Sequence, residues 1–301
     1  MSDDQFSTEN RKNAWFATDS RRSVSGKLVD VIAEKIGDKE RDNLDFVEEV
    51  QMGKKMEPYI GRLFEDETGI RARALDVLGI HPTETWLRAH TDFETNDGGL
   101  LETKNYNAAI YNQYPDMGET GTPALPAADL IQCIHEACVF NKPHVWFCAL
   151  FGGQRLRYWK IDVTDEMKSD FIKQAAQWWA YVQTRSYPTP ETVDQAKLVY
   201  GVSTDDAVIA DANTETIVKV LKTVKEDIKR LEVLEEQSLV HLQNTMKERG
   251  TLLSPTGEVL ATWKSAKPTM RFSASLFQQA MPDVYEKFVV ETKGSRRFLV
   301  K

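Results

Sequence analysis

The chain has 301 residues, with 38 Lys and Arg against 46 Asp and Glu and a formal charge of −8. At 41% hydrophobic and 28% charged residues, it is long enough to bury a core, and its composition excludes collagenous, wholly disordered and membrane-spanning classes. Three cysteines in no zinc spacing fit a reduced, cytoplasmic protein without structural disulfides. The polar, acidic start predicts no signal peptide, and the acidic balance alone argues mildly against a nucleic-acid partner.

Residues 1–13 are polar and predicted to be mobile. Leu28, Val31, Ile32 and Ile36 at helical spacing predict a helix over 25–36. Residues 42–69 read as helix, in one or two pieces. Met56, Ile60, Leu63 and Phe64 form its apolar stripe, and Gly69 is a natural stop. Strand patterns follow at 72–79, 86–95 and 100–106. The last two are joined by Asn96-Asp97-Gly98-Gly99, a hairpin signal. Residues 107–126 read as a long loop over an opening. A helix is predicted over 129–140, then strands over 145–151 and 155–162 joined by Gly152-Gly153. Thr164 caps a helix running to about Arg185, before Pro188 and Pro190.

The order α–α–βββ–α–ββ–α over residues 1–190 predicts an α/β domain, a mixed central sheet flanked by helices. A connector and long helix would occupy 191–250, the helix itself covering 213–249. Ile217, Leu221, Val224, Ile228 and Leu231 repeat there at 4-3-4-3, a seam that lapses at Glu235 and Ser238. Such a helix packs either along its own domain or against a partner or second copy. Residues 251–301 form a basic extension, with eight Lys and Arg against four Asp and Glu. It reads as a hairpin around 254–257, a short helix near 275–280 and a strand-like end at 297–301.

The chemistry concentrates in Asp92 and, ten residues on, Glu102-Thr103-Lys104. Alternation places Glu102 and Lys104 on one face of a strand, with Asp92 within reach across the hairpin. Two carboxylates converging there would suit Mg²⁺ or Mn²⁺. A lysine beside them can orient or deprotonate water, or stabilise phosphate charge, as metal-assisted phosphodiester hydrolysis requires. The same residues on a solvated hairpin would be unremarkable, but Phe93, Leu100 and Leu101 imply buried strands, where unpaired carboxylates are costly. Glu57 is a third acid beside its helix's apolar stripe, with small Gly61 four residues on. Pro58 would alternatively place Glu57 at a helix N-cap.

This pattern resembles the PD-(D/E)XK nuclease motif, with Thr91 in the proline position. Three further blocks narrow the resemblance to the YqaJ-type viral recombinases, the phage-type alkaline exonuclease family. They are Trp15 followed by Arg21-Arg22-Ser23-Val24-Ser25; Gly53 to Glu57-Pro58, running to Thr68-Gly69; and Gln132-Cys133-Ile134-His135. The third departs from the family's Gln-x-Gln-His at Ile134, and no arginine lies between Lys104 and Arg155.

The resemblance covers about residues 15–185. It implies a Mg²⁺- or Mn²⁺-dependent exonuclease that degrades one strand of duplex DNA from its 5′ end, exposing a 3′ strand for phage-type recombination. By position, Asp92 and Glu102 would bind metal with the Thr103 carbonyl, Lys104 would position or activate water, and Glu57 would complete the site. Gln132 would hold the scissile region or the nucleophile. Ser25 with Arg21 or Arg22 would meet the 5′ phosphate. A single-strand annealing protein and a ring-shaped homo-oligomer, such as a trimer, would be the partners, in a phage-encoded or prophage protein of the bacterial cytoplasm. A structure-directed endonuclease, or a non-catalytic DNA-end-binding or recombinase-loading module on the same fold, are the alternatives.

Other candidates weigh less. Cys133 and Cys138 lie about 140° apart on a helix and cannot join His135 around one metal. His90 reads as a structural residue beside the site rather than a base. Arg155 and Arg157 share one strand face and could meet phosphate. Trp178-Trp179 reads as packing, and no phosphate-binding glycine loop is present.

Overall fold

The computed structural model describes residues 11–44, 46–117, 123–291, 294 and 296–301. Residues 1–10, and 118–122 of the expected 107–126 loop, lie outside it. The chain divides into two compact units, Met1–Val199 and Tyr200–Lys301.

In the first unit, β1 (Trp15–Phe16) leads into α1 (Ala17–Arg22), a π-turn at Ser23–Lys27 and α2 (Leu28–Ile36). The helix expected from residue 25 therefore begins later, because Gly26 turns to φ 77° and breaks it. Next come α3 (Glu48–Thr68), β2 (Ala72–Ala74), β3 (Gly79–Ile80), β4 (Leu87–Ala89), β5 (Phe93–Thr95) and β6 (Leu100–Tyr106). A 3₁₀ turn at Ala108–Gln113 follows, then α4 (Ala127–Val139), β7 (His144–Phe151), β8 (Arg155–Asp162), α5 (Asp165–Thr184) and α6 (Val193–Val199). Thr164 caps α5 by accepting from the Met167 amide at 3.2 Å.

The fold is mixed α/β, as expected, with a central five-stranded sheet in the order β2-β5-β6-β7-β8. β6 and β7 are parallel and the other neighbours antiparallel. The parallel pair needs a crossover, which α4 supplies. Both faces of the sheet are covered. Leu100, Phe147, Ala149 and Phe151 point into the core shared with α4 and α5. Leu101, Cys148 and Leu150 point the other way, to Ile60 and Phe64 of α3. Period-two alternation thus feeds two cores from the same strands.

The run at 86–95, expected as one strand, is two. β4 belongs to a small sheet with β1 and β3, and β5 to the central sheet. The chain crosses between them at His90-Thr91-Asp92. The 72–79 run divides in the same way, into β2 and β3.

In the second unit are α7 (Ala212–Met246), a hairpin of β9 (Thr251–Leu253) and β10 (Val259–Thr262), α8 (Ala274–Ala280) and α9 (Pro282–Glu286). Residues 296–301 form no strand, because β9 and β10 pair only with each other and offer this end no partner. The apolar stripe of α7 stays exposed, and Met246 is its one buried residue. The helix is therefore not packed along its own unit. Among the described residues no helix is long and apolar enough to cross a membrane.

Candidate active site

The β5–β6 hairpin builds the site. Its turn is held by Asp97, whose Oδ1 accepts from Thr95 Oγ1 at 2.6 Å and from the Gly99 amide at 3.3 Å. Gly98 supplies the φ of 92° that the turn requires. With the turn set, Asp92 meets the strand opposite. Its Oδ2 accepts from the Thr103 amide at 2.8 Å and from Thr103 Oγ1 at 2.7 Å. On that strand Lys104 ion-pairs with Glu102 Oε1. From α4, Gln132 Nε2 donates to Glu102 Oε1 at 2.5 Å and to Glu136 Oε1 at 3.0 Å.

Glu57 approaches from α3. Pro58 lies inside that helix, so the N-cap alternative for Glu57 does not hold. One turn on, Gly61 lets the helix lie against the sheet, where a Cβ would meet the Phe93 ring at 2.8 Å. The glycine therefore sets how closely Glu57 comes to Asp92.

The electrostatics follow from burial and crowding. Burial and then the charge of Asp92 push Glu57 up to about 7. The same two causes, opposed by Lys104, push Glu102 up to about 7. Burial alone would lower Lys104, but Glu102 and Asp92 outweigh it and raise it, so its amine is firmly protonated. Burial and then Glu102 raise the fully buried Glu136 well above the usual carboxylate range. The charge of Asp92 thus adds to burial in raising the cost of ionising Glu57, Glu102 and Glu136.

The donor set fits a hard divalent cation. Among the described residues, every hydrogen bond to Asp92 falls on Oδ2 and every one to Glu102 on Oε1. Each carboxylate therefore keeps one oxygen outside the protein's own network. Among the described residues no group of three or more acidic, histidine or cysteine side chains is placed to hold a metal ion by itself, so any cation here would rest on the two carboxylates and on backbone or water oxygens.

The residues expected to meet phosphate are placed differently from one another. Arg22 forms a two-pronged pair with Glu34, at 2.7 and 2.6 Å. Arg21 pairs with Asp129 at 2.9 Å and donates to Tyr106 at 2.9 Å. Ser25 Oγ donates to the Arg21 carbonyl at 2.9 Å, which keeps these two together. Arg157 holds the 3₁₀ segment's exit, donating to the carbonyls of Tyr114 and Pro115 and to Asp116. Both Arg155 and Arg157 lie over the Tyr111 ring, at 4.7 and 3.9 Å.

The remaining candidates are packing. His135 is fully buried between Ser20 Oγ at 2.9 Å and the Arg88 carbonyl at 3.0 Å, and Cys133, Cys138 and Cys148 are buried free thiols. His90 stacks on Phe16. Trp178 stacks on Trp15 and Trp179 on Trp86.

Two groups escaped the sequence reading. Glu136 lies one turn from Gln132, a spacing that puts both on one face. Tyr106 continues the Glu102–Lys104 face by alternation. It donates to Asp129 Oδ1 at 2.7 Å, and Tyr114 donates to Asp129 Oδ2 at 2.6 Å.

Against known proteins, residues 15–142 match the model of the YqaJ-like viral recombinase domain. Similar solved structures include an alkaline exonuclease, LHK-Exo, from Laribacter hongkongensis, at 16% identity and TM-score 0.46, covering 58% of this chain and 91% of that one. The same protein in complex with dAMP aligns at 17% identity and TM-score 0.45, covering 59% and 92%. A phage related exonuclease from Haemophilus somnus 129PT aligns at 9% identity and TM-score 0.39, covering 55% and 81%. No curated protein sequence matches significantly.

Proposed function

We propose, from the match of residues 15–142 to the model of the YqaJ-like viral recombinase domain, that the chain is a divalent-metal-dependent DNA exonuclease. It would remove one strand of duplex DNA, 5′ to 3′, and leave a 3′ strand for recombination. The observation that carries this reading is the pair of acids on the β5–β6 hairpin, Asp92 and Glu102, each with one oxygen left outside the protein's network beside protonated Lys104.

Asp92, Glu102 and the Thr103 carbonyl would hold Mg²⁺ or Mn²⁺, with Glu57 beside them. The cation would neutralise phosphate charge and make bound water more acidic. The protein's own residues do the rest. Gln132, held between Glu136 and Glu102, fixes the Glu102 carboxylate. Lys104 meets the phosphate oxygens with its positive charge as the water oxygen attacks phosphorus. One P–O bond forms as another breaks; the attacking water gives up a proton to solvent, and the leaving alkoxide takes one from solvent.

For the 5′ phosphate the reading keeps Ser25 with Arg21 or Arg22, each of which would have to share its charge with the acid it pairs with, Asp129 or Glu34. A single-strand annealing protein and a ring-shaped homo-oligomer belong to the same reading. The test is digestion of 5′-phosphorylated linear duplex and covalently closed circular duplex, with and without Mg²⁺. Loss of the linear substrate alone, only with metal, is expected. Cleavage of the circle would make the protein an endonuclease, and binding without cleavage in either metal would make it a DNA-end-binding module.

A further inference from the structure

Outside the site, one face of α7 carries an exposed apolar stripe. Its apolar residues repeat every 11 positions: Ile217, Ile228 and Leu239; Val220, Leu231 and Leu242; Val224, then Glu235, then Met246. At 100° per residue all nine fall within an arc of about 100°. An 11-residue repeat stays on one face of a helix over its whole length, where a strict heptad drifts. The 4-3-4-3 seam through Leu221 meets Glu235, and the 11-residue series carries the same acid between Val224 and Met246 before continuing to the helix end. Seven of the nine are 39–58% exposed, from Ile217 to Leu242, a stretch of about 38 Å.

We propose that this face is an interface with a second copy of the chain, packed antiparallel about a two-fold axis between Lys229 and Arg230. The register follows from the spacing. With the axis there, Ile217 faces Leu242 of the second copy, Val220 faces Leu239, Ile228 faces Leu231 and Val224 faces Glu235. Ile217, Val220, Ile228, Leu231, Leu239 and Leu242 thus meet apolar partners, while Val224 meets Glu235, Leu221 meets Ser238 and Met246 meets Asn213.

Charge selects the same arrangement. Lys225 and Lys229 lie along one flank of the seam in its N-terminal half, and Glu232 and Glu236 along the same flank in its C-terminal half. Antiparallel packing brings Lys225 to Glu236 and Lys229 to Glu232 of the second copy, each within about 3 Å along the axis. Lys225 also comes one residue from facing Glu235, which gives the one acid of the seam a cation. Parallel packing would set Glu235 against Glu235, and gather both helices' lysines at one end and their glutamates at the other. Like charges so placed oppose association.

The interface is built from α7 alone, and substitutions confined to α7 test it. Sedimentation velocity of the full chain should show an association step that I228E/L231E weakens about 100-fold, two buried apolar contacts per copy being replaced by charge. Circular dichroism of this variant should be unchanged, since both sites are exposed. Unchanged association would overturn the proposal.

Direction is read by mild oxidation of I217C and L242C single variants, which lie at the centre of the stripe's arc. Their mixture should form a covalent dimer and neither should alone, because identical positions lie about 38 Å apart in the antiparallel pair. The native cysteines are buried. Cross-linking of either variant by itself, or none in the mixture, would overturn it. Finally, K225E/K229E should weaken association about tenfold and added E232K/E236K should restore it. Failure to restore would remove the charge argument and the register with it.

Discussion

Two buried acidic corners lie on the same face of the central sheet, and they differ in how fully they are satisfied. Asp129 is 1% exposed. Arg21 and Tyr106 bond one of its oxygens and Tyr114 the other. Glu102 is 4% exposed, and Lys104 and Gln132 both bond its Oε1. The first corner is electrostatically closed, while the second holds excess negative charge with Asp92 and Glu57 and an oxygen to spare. A protein that only needed stability would close both corners, since unsatisfied buried charge is costly. On the proposed function, the difference separates a structural acid from acids kept for a cation.

That contrast breaks if the two corners respond alike to mutation. The largest effect is expected at the open corner, on activity: Lys104→Ala or Glu102→Ala should lower DNA hydrolysis by about 10³-fold or more with a melting curve close to that of the native chain. Digestion at the native rate would remove these residues from the site. Asp129→Ala should instead cost about 3–4 kcal/mol in denaturant unfolding, by leaving Arg21 and two tyrosines without their acceptor.

Glu57→Gln sharpens the comparison, because its effect has the opposite sign. The folded carboxyl titrates at about 7, above its ordinary value, so ionising it costs stability that is lost as pH rises from about 4.5 through 7. Solvent screens a half-buried carboxyl, so removing that charge should stabilise the metal-free protein by only about 1 kcal/mol at pH 8 and change it little at pH 4. For the same reason, thermal stabilisation by added Mg²⁺ should be larger at pH 8 than at pH 6, where protons already compensate Glu57 and Glu102. An equal shift at both values would show that these acids do not share a cation.

The smallest effect is expected at the hairpin turn. Burial opposes ionisation of Asp97, but bonds from Thr95, Trp146 and His144 outweigh it and hold the carboxyl at about 2. Its contribution is present above the unfolded value near 3.8 and lost as pH falls through 2. Asp97→Asn should therefore cost about 1 kcal/mol at neutral pH, less as pH approaches 2.

Much of the site was readable along the chain because its members are local. Asp92, Glu102 and Lys104 lie on one hairpin whose turn announces itself as Asp97-Gly98, and the period of two assigns Glu102 and Lys104 to one face. Residues arriving from elsewhere were harder to read. Glu136 and Asp129 sit on α4, and their relation to Gln132 is visible as helical spacing only once Gln132 is known to face the sheet. That Arg21 and Arg22 share their charge with Asp129 and Glu34 was visible only in the fold. The break at His90-Thr91-Asp92 was hidden because residues 86–95 have strand-like composition throughout, and pairing partners decide where a strand stops.

By itself the sequence determined element types over most of the first unit, the mixed α/β class, the hairpin carrying the acids and the 11-residue apolar period of α7. These depend on local geometry: turn chemistry, the period of two and the period of 3.6. Tertiary structure decided which acids are closed and which stay open, and how near Glu57 stands to Asp92, through Gly61 against Phe93. It also decided that the stripe of α7 faces outward. Those outcomes depend on which distant groups share a desolvated space, and burial and charge act through distance in space, to which spacing along the chain is blind.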